Sequence, residues 1–316
     1  MQRFRYGYFD NLNRPPPIQP KHMQNGHMSA TAAQKLCFFR LFPIMFNDFI
    51  NDVPSIILYR QLRDIMDLVL SVPFRKQWLP VLQDLCVAFH ESMSLYFPTK
   101  MVPKIHFACE YDQVINHYGP AKRQWCLRYE GCHAYFKKIA IRSNNFKNVP
   151  KSLATRYSLK QTYRISLLAQ PSNLNYAVGI NTISQNSFTA PIKSILLAHF
   201  GNIDLEKDIM QCRKLFYENI EYCQSSVYIL NLRELDEQPA FGQIAFILKT
   251  NEKWWLLVDK LKTVGYNEKL CAWEIKSMDC FSIDDPCDLK YFHKGLDVYI
   301  LNNMSFVSFT CRLTLY

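Results

Sequence analysis

The spacing of apolar residues changes along the chain, and this change constrains the fold more than any other feature. Between residues 29 and 98 apolar side chains recur every three or four positions, as in Leu58, Leu62 and Ile65, which is typical of helices that bury one face. From Ser226 onward, turn residues separate short β-prone runs instead: VYILNL, FGQIAFIL, KWWLLVDKL, LCAWEIK, LDVYIL and FVSFTCRL. The sequence therefore predicts an α+β protein, with a helical N-terminal two-thirds followed by a small β-rich barrel or sandwich module.

The same patterns predict five segments. Residues 1–28 are polar and include the run Pro15-Pro16-Pro17, which favours a flexible tail. Ser29 is then a candidate cap for the first helix of a bundle. In chain order, the predicted segments are a tail at 1–28, a helical bundle at 29–98, a basic segment at 99–170, a linker and helix at 171–224, with the helix near 191–221, and the β-rich module at 225–316.

Composition narrows the class of protein. No apolar stretch approaches the roughly 20 residues that a membrane span needs, so no membrane partner is expected. The chain holds nine glycines and no glycine-rich phosphate loop, which disfavours a nucleotide-binding enzyme. Its eleven cysteines lack framework spacing, which is typical of proteins in a reducing compartment. We therefore expect a soluble intracellular protein.

Positive charge is concentrated in one part of the chain. Residues 100–164 hold thirteen Lys and Arg against three acids (Glu110, Asp112 and Glu130), a net charge of +10. The whole chain is also +10, so the remaining residues balance at 24 against 24. A local basic block of this size indicates a polyphosphate partner such as DNA.

The basic block also contains an ordered motif. His106 is followed by the turn signal Gly119-Pro120, then by Trp125, Arg128-Tyr129-Glu130, His133, Phe136-Lys137-Lys138 and Asn145-Phe146-Lys147-Asn148. This order resembles the C-terminal catalytic segment of RNase H-fold transposases with an Asp-Asp-Glu active site. Within that group it is most similar to the cut-and-paste elements of the Transib and CACTA-like kind, to which the V(D)J recombinase core is related. The resemblance spans about residues 29–165 and is sharpest over 103–156.

The resemblance implies a role for Glu130 as the third catalytic carboxylate. Enzymes of this family cut DNA with two Mg²⁺ or Mn²⁺ ions, which three carboxylates normally hold. On a helix, Glu130, His133 and Lys137 would share one face. The resemblance also implies nuclear localisation, DNA as partner, and assembly as a homo-oligomer or with a full-length transposase.

The sequence departs from the family pattern in two respects. No strand-like run carrying an aspartate lies within residues 1–98, and one carboxylate cannot build a two-metal site. We therefore expect a transposon-derived, catalytically incomplete C-terminal portion of a transposase, in which Glu130 is vestigial. The family's second histidine is replaced by Glu110. His106 and Cys109 thus offer two ligands for a structural Zn²⁺, which needs four.

The predicted DNA contacts are the cations after Glu130. On the last helix of the block, Arg156, Lys160 and Arg164 recur every four residues and predict one cationic stripe. The full set is Lys137, Lys138, Arg142, Lys147, Lys151, Arg156, Lys160 and Arg164.

Three alternatives remain open at this point. The first is an active Mg²⁺-dependent transposase or nuclease with carboxylates supplied by a partner. The second is a protein-interaction scaffold acting through the β-rich module, in which Trp254 and Trp255 are otherwise core aromatics. The third is structural: Glu130 pairs with Arg128 or a nearby lysine, and the basic block is a solvated surface.

Overall fold

The computed structural model describes residues 4–24, 26–70, 76–121, 127–143, 147–169, 175–184, 187–201, 209–217, 220–232, 238–250, 252–289 and 295–308. Within these ranges the chain forms a helical N-terminal part followed by a curled antiparallel sheet. The predicted fold class, α+β with the helices first, is confirmed at this level.

The helical part consists of short and medium helices. None of the helices in the described ranges is long and apolar enough to cross a membrane. The helices are α1 (Tyr8–Asn11), α2 (Pro20–Gln24), α3 (Ala32–Met45), α4 (Ile56–Val69), α5 (Leu79–Tyr96), α6 (Pro103–Ala108), α7 (Tyr111–Tyr118), α8 (Leu127–Ser143), α9 (Val149–Ala169) and, later in the chain, α10 (Ala190–Phe200).

Helix α3 begins with a capping box. The Thr31 hydroxyl accepts the backbone N–H of Gln34 at 3.3 Å, and the Gln34 side-chain oxygen accepts the N–H of Thr31 at 3.0 Å. The cap predicted at Ser29 is wrong by two residues. Thr31 has a glutamine three positions later, which satisfies a second N–H, whereas Ser29 has an alanine there.

The core of the helical bundle lies between α4, α5 and α7. Leu58 and Ile65 from α4 pack with Leu82, Cys86 and Phe89 from α5, and all five are buried. Ile115 of α7 closes this cluster. The two helical faces predicted from apolar spacing are confirmed, because these contacts follow from periodicity within single helices.

The sheet region contains eleven described strands in two antiparallel sheets. One sheet has the order β1-β4-β5, and the other has the order β10-β11-β9-β8-β7-β3-β2, with β6 also pairing with β7. The strands are β1 (Tyr176–Val178), β2 (Asn181–Ile183), β3 (Ile209–Cys212), β4 (Lys214–Tyr217), β5 (Ile220–Cys223), β6 (Val227–Leu232), β7 (Pro239–Thr250), β8 (Lys253–Asn267), β9 (Ala272–Asp284), β10 (Val298–Leu301) and β11 (Met304–Val307).

The larger sheet curls so that the chain just before its edge strand β10 meets β6, the strand that pairs with β7. Val227 at the start of β6 forms an antiparallel bridge with Leu296, just before β10. The two backbone hydrogen bonds of this bridge measure 3.2 and 2.7 Å. Each of the six predicted β-prone runs overlaps one of the strands β6 to β11, because β-branched and aromatic residues are concentrated in these runs and turn residues separate them.

The sheet region begins earlier than the sequence predicted. Residues 171–224 were expected to hold a linker and a helix near 191–221, but strands β1 to β5 lie there and helix α10 ends at Phe200. Gly201 follows in a left-handed conformation, with φ of 71°, and its N–H bonds to the Leu197 carbonyl. This C-cap ends the helix, and β3 then pairs with β7.

The N-terminal segment packs against the sheet, which corrects the predicted flexible tail at 1–28. Phe9 is buried in the main core of the sheet. The Asp297 carboxylate accepts the backbone N–H groups of Phe9 at 3.2 Å and Asp10 at 2.8 Å. A Cβ atom at Gly7 would overlap Asp297, so this close approach needs glycine. Polarity and prolines gave no sign of these partners, which lie almost the whole chain away.

A buried polar network joins the N-terminal segment, the helices and the sheet. Arg40 of α3 forms an ion pair with Asp10, and the Tyr299 hydroxyl donates to Asp10 at 2.6 Å. Arg40 also donates to the carbonyl of Ser308, whose hydroxyl lies 3.3 Å from the Arg63 guanidinium. The helical part and the sheet are therefore tied by charged hydrogen bonds as well as by apolar packing.

Asp297 gives the fold a pH dependence of known sign. Burial raises the pKa of this carboxyl, the Asp10 carboxylate raises it further, and the N–H bonds and Arg40 oppose the rise only in part. Since the folded-state pKa lies above the unfolded value of about 3.9, the proton binds the folded state more tightly. The stability that this group contributes is therefore fully present below the unfolded pKa and is lost as pH rises through the folded pKa.

We expect the free energy of unfolding of the native protein, relative to that of Asp297→Asn, to fall as pH rises from the unfolded-state pKa of Asp297 through its folded-state pKa. Urea unfolding at a series of pH values from below 4 to neutrality measures the difference. Replacing the carboxyl by an amide also changes the free energy of unfolding by an amount that does not depend on pH. That amount shifts the difference between the two proteins but does not change its slope against pH. A difference that rises with pH would contradict this assignment.

Candidate nucleic-acid interface

Helices α8 and α9 form a hairpin with an aromatic seam. The Cys132 thiol lies 3.6 Å from the Tyr157 hydroxyl, and the Phe136 and Tyr157 rings are 5.3 Å apart. The Lys160 ammonium lies over the Tyr135 ring, 3.6 Å from its centre. Every residue of these two helices whose exposure is described is half-buried or exposed. The hairpin is thus a thin arm with much of its surface open to solvent.

The hairpin carries the densest positive charge of the chain. Residues 127–169 hold nine Lys and Arg and one acid, Glu130. Of the eight predicted DNA contacts, seven are exposed: Lys137, Lys138, Arg142, Lys147, Lys151, Arg156 and Arg164. The structure therefore brings the predicted cations together on one arm.

Lys160 departs from the predicted cationic stripe. Arg156 and Arg164 are exposed, but Lys160 is half-buried at the seam, where its ammonium contacts the face of Tyr135. A cation over an aromatic ring gains electrostatic attraction without a carboxylate partner. Lys160 therefore links α9 to α8 through this contact, and its predicted role in DNA binding stays a prediction.

Glu130 is the fourth residue of α8, and its side chain is outside what the structure describes. His133 and Lys137, three and seven positions later on the same helix, are exposed. Among the described residues before Tyr176 there is no β-strand, so no strand presents a second carboxylate in that part of the chain. Trp125 of the ordered motif lies outside the described ranges.

The two predicted zinc ligands lie in and just after α6. His106 is exposed, and its ring centre is 5.7 Å from that of His90 on α5. The Cys109 thiol donates to the Cys86 carbonyl at 3.7 Å, and burial raises the pKa of Cys109. In the described ranges no three His, Cys, Asp or Glu side chains are grouped to hold a metal ion. The zinc site stays a prediction.

The aromatic residues of the sheet lie mainly in packed positions. Trp273 is buried and its ring is 5.1 Å from that of Tyr266. Trp254 packs against the main core. Trp255 is half-buried beside His199 and Phe200 of α10, with Lys253 4.4 Å from its ring centre.

Sequence reasoning missed the apolar surface of the hairpin. Four large apolar side chains are strongly exposed there: Ile141, Leu159, Tyr163 and Ile165. A signal was available, since the apolar residues of α9 do not keep to one helical face. The sequence predicts a basic block in this segment, but its pattern does not distinguish packed aromatic residues from exposed ones.

On geometry, the α8–α9 hairpin is the strongest candidate for a functional surface, because charge, exposure and open apolar groups coincide on it. Comparison of the chain with models of known protein families, with curated proteins and with solved structures gave no match.

Proposed function

We propose that this chain is a transposon-derived DNA-binding protein that contacts DNA through the α8–α9 hairpin. The observation that carries the proposal is the charge of the hairpin. Its sequence contains nine Lys and Arg and one acid, and seven of the predicted contacts are exposed. The resemblance of residues 103–156 to Asp-Asp-Glu transposases supports the same partner, and with it a place in the nucleus.

The physical basis is the release of condensed counterions. Each Lys or Arg that neutralises a phosphate frees counterions, so affinity falls steeply as salt rises. These contacts position a protein on DNA and carry no sequence information by themselves. The hairpin should therefore bind DNA of any sequence.

The proposal includes descent from a transposase with an RNase H-like fold. It does not include DNA cleavage by this chain alone. Glu130 is then the descendant of a metal-binding carboxylate, and Mg²⁺ or Mn²⁺ would need further carboxylates from a homo-oligomer or a full-length transposase. Two-metal cleavage needs both ions held close together, which one carboxylate does not achieve.

Charge reversal on the hairpin tests DNA binding directly. For Lys151→Glu/Arg156→Glu/Arg164→Glu we expect duplex affinity at low salt to fall roughly 10- to 100-fold. The slope of log affinity against log salt should become shallower by about one unit per cation removed. Fluorescence anisotropy with a labelled duplex, titrated across salt, measures both quantities.

A matched control removes the same charge elsewhere. Lys260, Lys262 and Lys276 are exposed on β8 and β9, so their triple Glu variant changes net charge equally without touching the hairpin. It should keep most of the native affinity. Equal losses in the two variants would mean that net charge, not the hairpin, governs binding.

A protein-interaction function is the second candidate, and the observation that favours it lies in the helical part and not in the β-rich module for which the sequence suggested a scaffold. A largely apolar pocket of about 310 Å³ lies between α3 and α4, lined by Phe38, Phe39, Phe42, Val53, Ser55, Ile56 and Tyr59. Apolar pockets of this size bind partners or ligands in other proteins. Absence of DNA binding at low salt would leave this candidate in the lead.

A further inference from the structure

We infer that the hairpin prefers single-stranded DNA to duplex DNA, with Tyr163 as a base-stacking residue. This inference rests on the proposed function and specifies the form of DNA that fits this surface. It comes from the placement of aromatic and apolar side chains among the cations of α9.

Leu159 and Tyr163 lie one turn apart on α9, and 65% and 64% of their surfaces are exposed. Arg156 falls within about 60° of both around the helix axis, so cation, leucine and tyrosine form one exposed stripe. Tyr135 and Tyr157 engage other rings, whereas in the described residues no aromatic ring packs on Tyr163. Most of the surface of Tyr163 is therefore open to a ligand.

Such a stripe matches the chemistry of an unpaired strand. Duplex DNA presents phosphates and base edges to a helix, but the faces of its bases are stacked on one another and are closed to an aromatic ring. A single strand offers phosphates to Arg156 and Arg164 together with open base faces to Tyr163. Stacking of a base on an aromatic side chain contributes about 1–3 kcal/mol and tolerates any base.

Two other occupants fit less well. A helix that lies in a membrane surface gathers its apolar residues on one face. On α9, Ile165 lies about 160° around the axis from Tyr163, so apolar groups and cations are mixed. A second copy of the hairpin would bring nine cations against nine, which repel each other.

The test compares a labelled DNA single strand with a duplex of equal length, using the full chain at one salt concentration. We expect the single strand to bind more tightly. Tyr163→Ala should weaken single-strand binding about 5- to 150-fold and change duplex binding less than about twofold. Tyr163→Phe should bind as the native protein does, because it keeps the ring.

The matched control is Tyr118→Ala on α7, where 75% of the tyrosine is exposed and the helix itself contains no Lys or Arg. It should leave single-strand affinity unchanged. Circular dichroism confirms that each variant folds, which is expected because both tyrosines are exposed.

The outcomes separate this inference from the proposed function. Duplex binding as tight as single-strand binding, or no loss in Tyr163→Ala, overturns the inference and leaves DNA binding intact. No binding of either form, or binding unaffected by charge reversal on the hairpin, overturns both. Tighter binding of an RNA strand of equal length reassigns the site to RNA, and binding of phosphatidylserine vesicles that Leu159→Ala abolishes reassigns it to a lipid surface.

Discussion

Asp67→Ala is expected to lower the free energy of unfolding by about 3–5 kcal/mol. Asp67 and Arg63 are one turn apart on α4, their side chains are each 1% exposed, and Arg63 Nε lies 3.8 Å from Asp67 Oδ2. Removing the carboxylate leaves a guanidinium buried without its counter-charge. Urea unfolding of the native protein and the variant measures the loss.

A double variant separates charge from packing. In Arg63→Met/Asp67→Leu no charge remains buried, and replacing a buried ion pair by apolar residues is often neutral or stabilising. We therefore expect the double variant to recover much of the loss. Recovery should stay incomplete, because Arg63 also donates to the Arg40 carbonyl at 2.9 Å and to the Tyr59 hydroxyl at 3.3 Å.

An exposed ion pair provides the control. Glu252, whose side chain is 91% exposed, pairs with Lys249, and Glu252→Ala should change stability by less than about 1 kcal/mol. If Asp67→Ala has an effect as small as Glu252→Ala, the buried pair within α4 contributes no more to stability than an exposed pair does.

The features that the sequence predicted well depend on residues close together in the chain. Leu82, Cys86 and Phe89 share a helical face, so helical periodicity was sufficient there. The runs that form β6 to β11 were visible from their β-prone residues and from the turn residues between them. The concentration of charge on the hairpin was also visible, since composition alone locates it.

The buried network was not predictable in this way. Asp10 contacts Arg40 30 residues later and Tyr299 289 residues later, and no local pattern pairs such positions. Tyr163 illustrates the same limit within the candidate site. An aromatic residue in a helix looks the same in sequence whether it packs, as Tyr157 does, or faces solvent. For Glu130, the assignment came from resemblance and not from its neighbours.

Phe9→Ala is expected to cost about 3–5 kcal/mol, the second large effect. The Phe9 ring is 3% exposed in the core of the sheet, although it belongs to a segment that reads as a polar tail. Its removal leaves a cavity that the strands around it cannot close. Leu12→Ala is the control, because Leu12 is 71% exposed in the same segment and should change stability by at most about 0.5 kcal/mol.

A second substitution tests whether the ring occupies the place described. A Cβ atom at Gly295 would overlap the Phe9 ring, so Gly295→Ala alone should cost about 1–3 kcal/mol by overpacking. In the Phe9→Ala background most of that clash disappears. The sum of the losses in the two single variants should therefore exceed the loss in the double variant by about 0.5–3 kcal/mol. Relief should be partial, because the added methyl still meets Tyr228 at 2.9 Å. Strict additivity would mean that Phe9 does not pack on Gly295, and that the N-terminal segment does not hold the curled sheet in this way.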